Sequence, residues 1–364
     1  MPFTIDNLKS LADLATKHNA SDIHLRSNEA PCLRVKGKLL PVQAKSFSLD
    51  DIKDISEILM NKKMDLNELK SMQETDGAFE IEGICRIRFN FFRYNDNYGL
   101  ILRIIKNEIP SIDSLGFLPV VKKVSQFNNG LVLVTGATGS GKSTTLASMI
   151  NEINENKSYH IVTIEDPIEY IHPQKKSRIS QREIGRDTTS FANALKASLR
   201  QDPDVILIGE MRDKETVDIA LKASETGHCV FSTLHTTDAL STIGRIISLF
   251  PPQEQDNIRK RLAINLKATI SQRMLNKKDG GVTVAMEVML NNPGIQECIL
   301  GEEPLGKIPT VISNQKEQGG TGGQTFDQHL VELFDNGIIS KEEVLSAITN
   351  QTEFMQRLIA EGKD

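Results

Sequence analysis

Residues 136–143 read Gly-Ala-Thr-Gly-Ser-Gly-Lys-Ser. They follow the apolar run Leu131-Val132-Leu133-Val134 and lead into Thr144-Thr145-Leu146-Ala147-Ser148-Met149-Ile150. The run before predicts a buried strand and the stretch after predicts a helix, so the glycines must make the turn between them. Gly136, Gly139 and Gly141 let the backbone curl until its N–H groups surround a polyphosphate. Lys142 is a point charge for the β- and γ-phosphates, and the Ser143 hydroxyl is a ligand for Mg²⁺. Ala137, Thr138, Ser140 and Thr144 complete the expected phosphate cradle, and the helix N-terminus favours the same anion. The pattern predicts a nucleoside triphosphate bound at the carboxyl end of a sheet strand.

A chain of 364 residues is long enough for two or three domains. Apolar content of 39% and charged content of 25% are those of an ordinary globular protein. A net charge of −5 gives no basic footprint, which disfavours nucleic acid as the main partner. Cys32, Cys85, Cys229 and Cys298 are scattered, so neither a disulfide framework nor a four-cysteine zinc site is expected. The start, Met1-Pro2-Phe3-Thr4-Ile5-Asp6, lacks a basic region followed by an apolar stretch, and no apolar run is long enough to span a bilayer. A cytoplasmic protein is expected.

Residues 1–106 read as a small α+β unit with a mixed sheet. Helical periodicity runs from Asp6 to His18 and again from Asp51 to Leu69, and short strands are expected over Ser21–Leu25 and Leu33–Leu39. Arg86-Ile87-Arg88-Phe89-Asn90-Phe91 alternates strictly, with Ile87, Phe89 and Phe91 on one face, and Leu100–Ile105 predicts a neighbouring strand around Arg103. A linker is expected over 107–118. Residues 119–290 read as a second domain, in which apolar strands alternate with helices from Asn129 to about Phe250, predicting right-handed crossovers and a largely parallel sheet. Past Pro251-Pro252 the chain reads as mostly helical apart from Val282–Leu290, and 291–364 as a helical region with a flexible segment at 301–325.

Three further segments place chemistry at strand ends. Val205-Ile206-Leu207-Ile208-Gly209-Glu210 puts an acid in the crevice where parallel sheets bind ligands, positioned to hold the Mg²⁺ shell or polarise an attacking water. Ile161-Val162-Thr163-Ile164-Glu165-Asp166-Pro167-Ile168-Glu169 ends another strand in carboxylates, as a water-activating site requires. His228 and His235 bound a fourth strand, and His235 stands where a γ-phosphate sensor would sit.

The segment Leu199-Arg200-Gln201-Asp202-Pro203-Asp204-Val205-Ile206-Leu207-Ile208-Gly209-Glu210-Met211-Arg212-Asp213 resembles the signature of secretion and pilus motor ATPases. The order of phosphate loop, Glu-Asp-Pro box, this segment and the histidine pair is similar to the same family, over roughly residues 1–300. Within it the chain looks most like the type IV pilus retraction ATPases PilT and PilU. The resemblance implies a RecA-like ATPase core behind a PAS-like N-terminal domain and a homo-hexameric ring. It further implies ATP with Mg²⁺ as cofactors and a place at the cytoplasmic face of the inner membrane. An inner-membrane pilus platform protein is the implied partner, with a paralogous retraction ATPase as a further one.

Carried onto this chain, the resemblance makes Lys142 and Ser143 the phosphate and Mg²⁺ ligands, His228 and His235 the histidine box, and Glu210 a second Mg²⁺ contact through water. It also makes Arg88 and Arg103 the arginines that meet the phosphates. Whether Glu210 or Glu165 is the general base stays open; Glu210 is favoured with Glu165 assisting. One departure stands at Gly294-Ile295-Gln296-Glu297-Cys298-Ile299-Leu300-Gly301-Glu302, where retraction motors of the PilT type carry two arginines. Autonomous and accessory motor roles both remain open on that ground. The other readings are an ATPase of a type II or type IV secretion machine and, from a different class, a nucleic-acid translocase or an ATP-binding scaffold.

Overall fold

The computed structural model describes residues 2–35, 37–105, 108–317 and 322–362. The chain divides into two compact units, Met1–Glu108 and Ile109–Asp364.

The first unit contains α1 (Ile5–Lys17), β1 (Ala20–Arg26), β2 (Cys32–Val35), β3 (Lys38–Pro41), α2 (Leu49–Met60), α3 (Leu66–Ser71), β4 (Glu74–Ile81), β5 (Cys85–Tyr94) and β6 (Asn97–Ile105). The sheet order is β3-β2-β1-β6-β5-β4 and every strand pair is antiparallel, not mixed as expected. The short links explain it: β2–β3, β4–β5 and β5–β6 are hairpins, and a parallel pair needs a crossover of about a dozen residues. The single strand expected over Leu33–Leu39 is two strands folded back at Gly37, whose φ of 79° suits glycine. The single helix expected over Asp51–Leu69 stops at Asn61, which adopts a left-handed cap at φ 48°, and α3 restarts on the Asp65 carboxylate. Ile87, Phe89 and Phe91 enter one core with Leu8, Ile23, Ile52 and Ile55, the face that their alternation predicts.

The second unit runs through α4 (Pro119–Ser125), β7 (Gly130–Gly136), α5 (Lys142–Asn156), β8 (His160–Glu165), β9 (Arg178–Glu183), α6 (Phe191–Ser198), β10 (Val205–Ile208), α7 (Lys214–Glu225) and β11 (Cys229–Leu234). It continues with α8 (Ala239–Ser248), α9 (Pro252–Asn265), β12 (Leu266–Asn276), β13 (Val282–Leu290), α10 (Pro293–Leu300), α11 (Ile308–Glu317), α12 (Phe326–Asp335), α13 (Lys341–Ala347) and α14 (Gln351–Glu361). The sheet order is β13-β12-β7-β11-β10-β8-β9, parallel except where β13 meets β12.

Strands β7, β10 and β11 are buried at every residue because helices cover both faces. Along β7, Leu131 and Leu133 join one core with Ile206, Val217 and Ala220. Val132 and Val134 join the other with Met149, Ile150 and Ile153. Continuous apolar runs are therefore what a doubly covered sheet requires. The parallel register pairs Thr135 with Leu234, Ser232 with Ile208, and Ile208 with Ile164. The loops after β7, β8, β10 and β11 consequently leave from one sheet edge.

Two expectations for the C-terminal third need correction. β12 is a strand where helix was expected; Ala268 and Ile270 face one way and Thr269 and Ser271 the other, and it pairs parallel with β7. The segment expected to be flexible, 301–325, carries a single 3₁₀ turn at Leu305–Lys307 and then α11, while 318–321 lie outside the described residues. Ile308 and Ile312 are fully buried, and the Gln315 amide pairs with both backbone groups of Leu290. Those anchors outweigh a composition rich in turn-forming residues. Among the described residues no helix is long and apolar enough to cross a membrane.

Candidate functional site

The phosphate loop is built by its glycines and by the strands beside it. Gly136 has φ 145°, and a Cβ there would meet Ser140 Oγ at 2.5 Å and the Gln272 carbonyl at 2.6 Å, so only glycine fits. Gly141, at φ 92°, is the left-handed residue from which α5 starts. Gln272 of β12 lies opposite Gly136 and donates Nε2 to Thr145 Oγ1 at 2.6 Å, tying the first turn of α5 to the sheet. Lys142 donates Nζ to the carbonyls of Gly136 at 2.8 Å and Ala137 at 3.1 Å. Burial lowers its pKa, and the charges of Glu210 and Glu169 oppose that shift.

The donor set suits a metal-nucleotide. Ser140 Oγ is buried and meets no hydrogen-bond partner. Among the described residues Ser143, half-buried at the start of α5, has none either. No cluster of three His, Cys, Asp or Glu able to hold a metal occurs among the described residues. A Mg²⁺ ion would accordingly be held by Ser143, by the phosphates it accompanies and through water by Glu210. Thr144 Oγ1 lies 2.9 Å from the Tyr170 hydroxyl, which joins the loop helix to the segment after β8.

Glu210 leaves β10 through Gly209, and both neighbours are pinned. Gly209 donates N–H to the Ile164 carbonyl at 2.7 Å and accepts from Thr233 Oγ1 at 2.6 Å, while Met211 donates to the Thr233 carbonyl at 3.1 Å. The Glu210 carboxylate meets Arg212 Nη2 at 2.6 Å through one oxygen and His235 Nε2 at 3.2 Å through the other. Burial pushes this carboxyl up, but Arg212 and His235 together hold it below the usual carboxylate range. Glu165, at the end of β8, accepts from Thr163 Oγ1 at 2.6 Å and Gln181 Nε2 at 3.2 Å. Its partners are neutral, and burial raises its pKa.

The fold thus gathers the loop, Glu165, Glu210 and His235 at one edge of the sheet. It does not bring His228 there. Residue 228 precedes β11, whose first residue pairs with Gly130 at the opposite end of β7. Its Nδ1 lies 3.0 Å from the Ala223 carbonyl and 3.1 Å from Thr226 Oγ1, so it caps the end of α7. The expected nucleotide contact of His228 is therefore not among the groups that the fold assembles beside the phosphate loop. Arg88 and Arg103 belong to the first unit, where they stand directly opposite each other on β5 and β6. Arg103 Nε donates to Asp22 Oδ1 at 3.0 Å, and Arg88 has no hydrogen bond or ion pair among the described residues.

Three residues were not singled out from sequence. Arg212 stands two places after Glu210 within the quoted signature, and that adjacency to an acid was its only signal. Gln181 and Gln272 lie on β9 and β12, strands the sequence reading did not contain.

Comparison with known proteins places the chain in a family. The family model described as Type II/IV secretion system protein matches residues 3–309. The type IV pilus retraction ATPase PilT of Pseudomonas aeruginosa is 41% identical over 336 residues, 92% of this chain and 96% of that protein. The type IV pilus ATPase PilU of the same organism is 37% identical over 339 residues, 93% of this chain and 87% of that protein. The crystal structure of the pilus retraction motor PilT with bound ADP superposes with a TM-score of 0.86 at 40% identity, covering 98% of this chain and all of that one. Matched along nearly its whole length, the chain belongs to the type II/IV secretion system protein family, in its branch of type IV pilus retraction ATPases.

Proposed function

We propose that this chain is the subunit of a homo-hexameric motor that hydrolyses ATP to retract type IV pili. It would work at the cytoplasmic face of the inner membrane against a pilus platform protein, together with a paralogous retraction ATPase where one is present. The observation that carries the catalytic assignment is Glu210, held as an anion between Arg212 and His235 on the edge where the phosphate loop opens.

The chemistry follows from the groups at that edge. Backbone N–H groups of the loop and of the first turn of α5 bind the phosphate oxygens, and Lys142 exchanges its two carbonyl partners for the β- and γ-phosphates. Ser143 would hold a Mg²⁺ ion, which would supply charge neutralisation on the phosphates. Glu210 accepts a proton as water oxygen bonds to the γ-phosphorus and the bond to the β,γ-bridging oxygen breaks. His235, in contact with Glu210, hydrogen-bonds the γ-phosphate and loses that partner when inorganic phosphate leaves. Arg88 and Arg103 supply positive charge to the transition state, a contribution of several powers of ten in other phosphoryl-transfer enzymes.

The test complements a deletion strain with wild type or Glu210→Gln and reads ATPase rate and piliation together. Hydrolysis by wild type, with over-piliated and immotile cells carrying Glu210→Gln, is the expected result. A deletion strain without pili would reassign the motor to assembly or secretion.

A further inference from the structure

The segment that carries His235 is short, running from the end of β11 at Leu234 to the start of α8 at Ala239. Its path decides where the imidazole lies relative to Glu210. Part of its anchoring comes from α8 itself: Asp238 accepts from the Ser241 N–H at 2.7 Å, and Thr236 Oγ1 lies 2.6 Å from Thr242 Oγ1. Another tie comes from a distant strand. Ala239, the first residue of α8, donates its N–H to Glu287 Oε1 at 2.8 Å.

Glu287 sits within β13 opposite Ser271 of β12 and is only 7% exposed. A carboxylate at that depth is costly, and an apolar residue would fill the space more cheaply, so its presence asks for a reason. The opening turn of α8 offers one, since a helix N-terminus presents unpaired N–H groups and favours negative charge. Because β13 is hydrogen-bonded to β12 and β12 to β7, Glu287 joins the His235 segment to the framework that carries the phosphate loop.

We propose that Glu287 is a positioning residue for ATP hydrolysis, holding the first N–H of α8 so that the His235 segment stays registered against Glu210. The inference rests on the role given to His235 above. Burial is the strongest influence on Glu287 and pushes it up to about 7; the Ala239 bond opposes this, Asp238 and Asp327 add to it, and Arg273 opposes it. Glutamine is the conservative replacement, because it keeps the size of the side chain and an oxygen that can accept from the Ala239 N–H.

The test measures steady-state ATP hydrolysis of the full chain for Glu287→Gln, Glu287→Asp and Glu287→Ala, each alone and combined with His235→Ala. Asp and Ala cannot reach Ala239 and are expected to lower kcat on the order of tenfold with KM for ATP little changed, whereas Gln stays within about twofold of wild type. In the His235→Ala background the same substitutions are expected to add nothing further. Equal losses in both backgrounds, or a Gln variant as slow as Ala, would overturn the assignment while leaving His235 its role. A silent His235→Ala would remove the role of His235 and this inference together. Glu287→Asp keeps the experiment decisive if Glu287→Ala fails to fold.

Discussion

Glu165 and Glu210 end neighbouring parallel strands, β8 and β10, yet their surroundings drive them in opposite directions. Glu165 is met by a hydroxyl and an amide, partners without charge, and burial lifts its pKa. Glu210 is also penalised by burial, but a guanidinium and an imidazole reverse the outcome. Two acids in one crevice with pKa values pushed apart divide the work of proton transfer between them. Glu210, held below the usual carboxylate range by Arg212 and His235, is available to accept a proton from water, whereas Glu165 has no cationic partner to do the same. The comparison favours Glu210 as general base, with Glu165 as the group that orders its surroundings.

The largest expected effect is the loss of the base proposed at Glu210. Glu210→Gln should lower kcat by about 10²–10⁴-fold, the usual contribution of general-base catalysis, while ADP affinity stays near wild type. Glu165→Gln should cost less, on the order of tenfold, because the amide oxygen can still accept from Thr163 and Gln181. Steady-state turnover of both variants decides the matter. A Glu165→Gln variant as slow as Glu210→Gln would reverse the assignment.

Arg212 sharpens the contrast, since it is the charge that sets Glu210 apart. Arg212→Ala should let the Glu210 pKa rise, so the acid limb of the kcat–pH profile moves to higher pH. The stability consequence has a defined sign. A carboxyl depressed in the folded state contributes stability above its ordinary pKa, about 4.5, and loses it as pH falls through the depressed value. Arg212→Ala should therefore lie below wild type in Tm at neutral pH and converge with it in acid. Arg212 is 72% exposed, so the difference should be small. An unmoved acid limb would show that Arg212 does not tune Glu210.

Much of this site can be read from residue order because its chemistry demands it. The spacing of Gly136, Gly139, Gly141, Lys142 and Ser143 has few other uses, and an acid closing a short, largely apolar strand segment is conspicuous at Glu210 and at Glu165. The partners that separate the two acids are less visible. Gln181 reaches Glu165 from β9, and Gln272 steadies the loop from β12. Strand β12 escapes notice because Lys267, Gln272 and Arg273 interrupt its apolar residues, and it is pairing with β7 that makes it a strand. In the same way α11 exists because Ile308, Ile312 and Gln315 find the core and the edge of β13. Local composition cannot report a contact made across many residues of chain.

The histidines of β11 provide the smallest effect and test the same idea, that position along a strand decides what a side chain can do. His228 and His235 bound a strand of six residues, which separates them by roughly 20 Å along the sheet. His235 touches Glu210, whereas His228 closes the end of α7 by its contacts with Ala223 and Thr226. His228→Ala should thus leave kcat within about twofold of wild type and remove on the order of 0.5–1 kcal/mol of stability, the scale of a helix-terminal contact. His235→Ala should do the reverse, lowering kcat with little change in Tm, because its imidazole is 46% exposed and leaves no cavity. Turnover and thermal unfolding measured on the two variants separate these outcomes. A turnover defect in His228→Ala as deep as that of His235→Ala would mean that the amino edge of the sheet also reaches a nucleotide, which a single subunit's geometry does not permit.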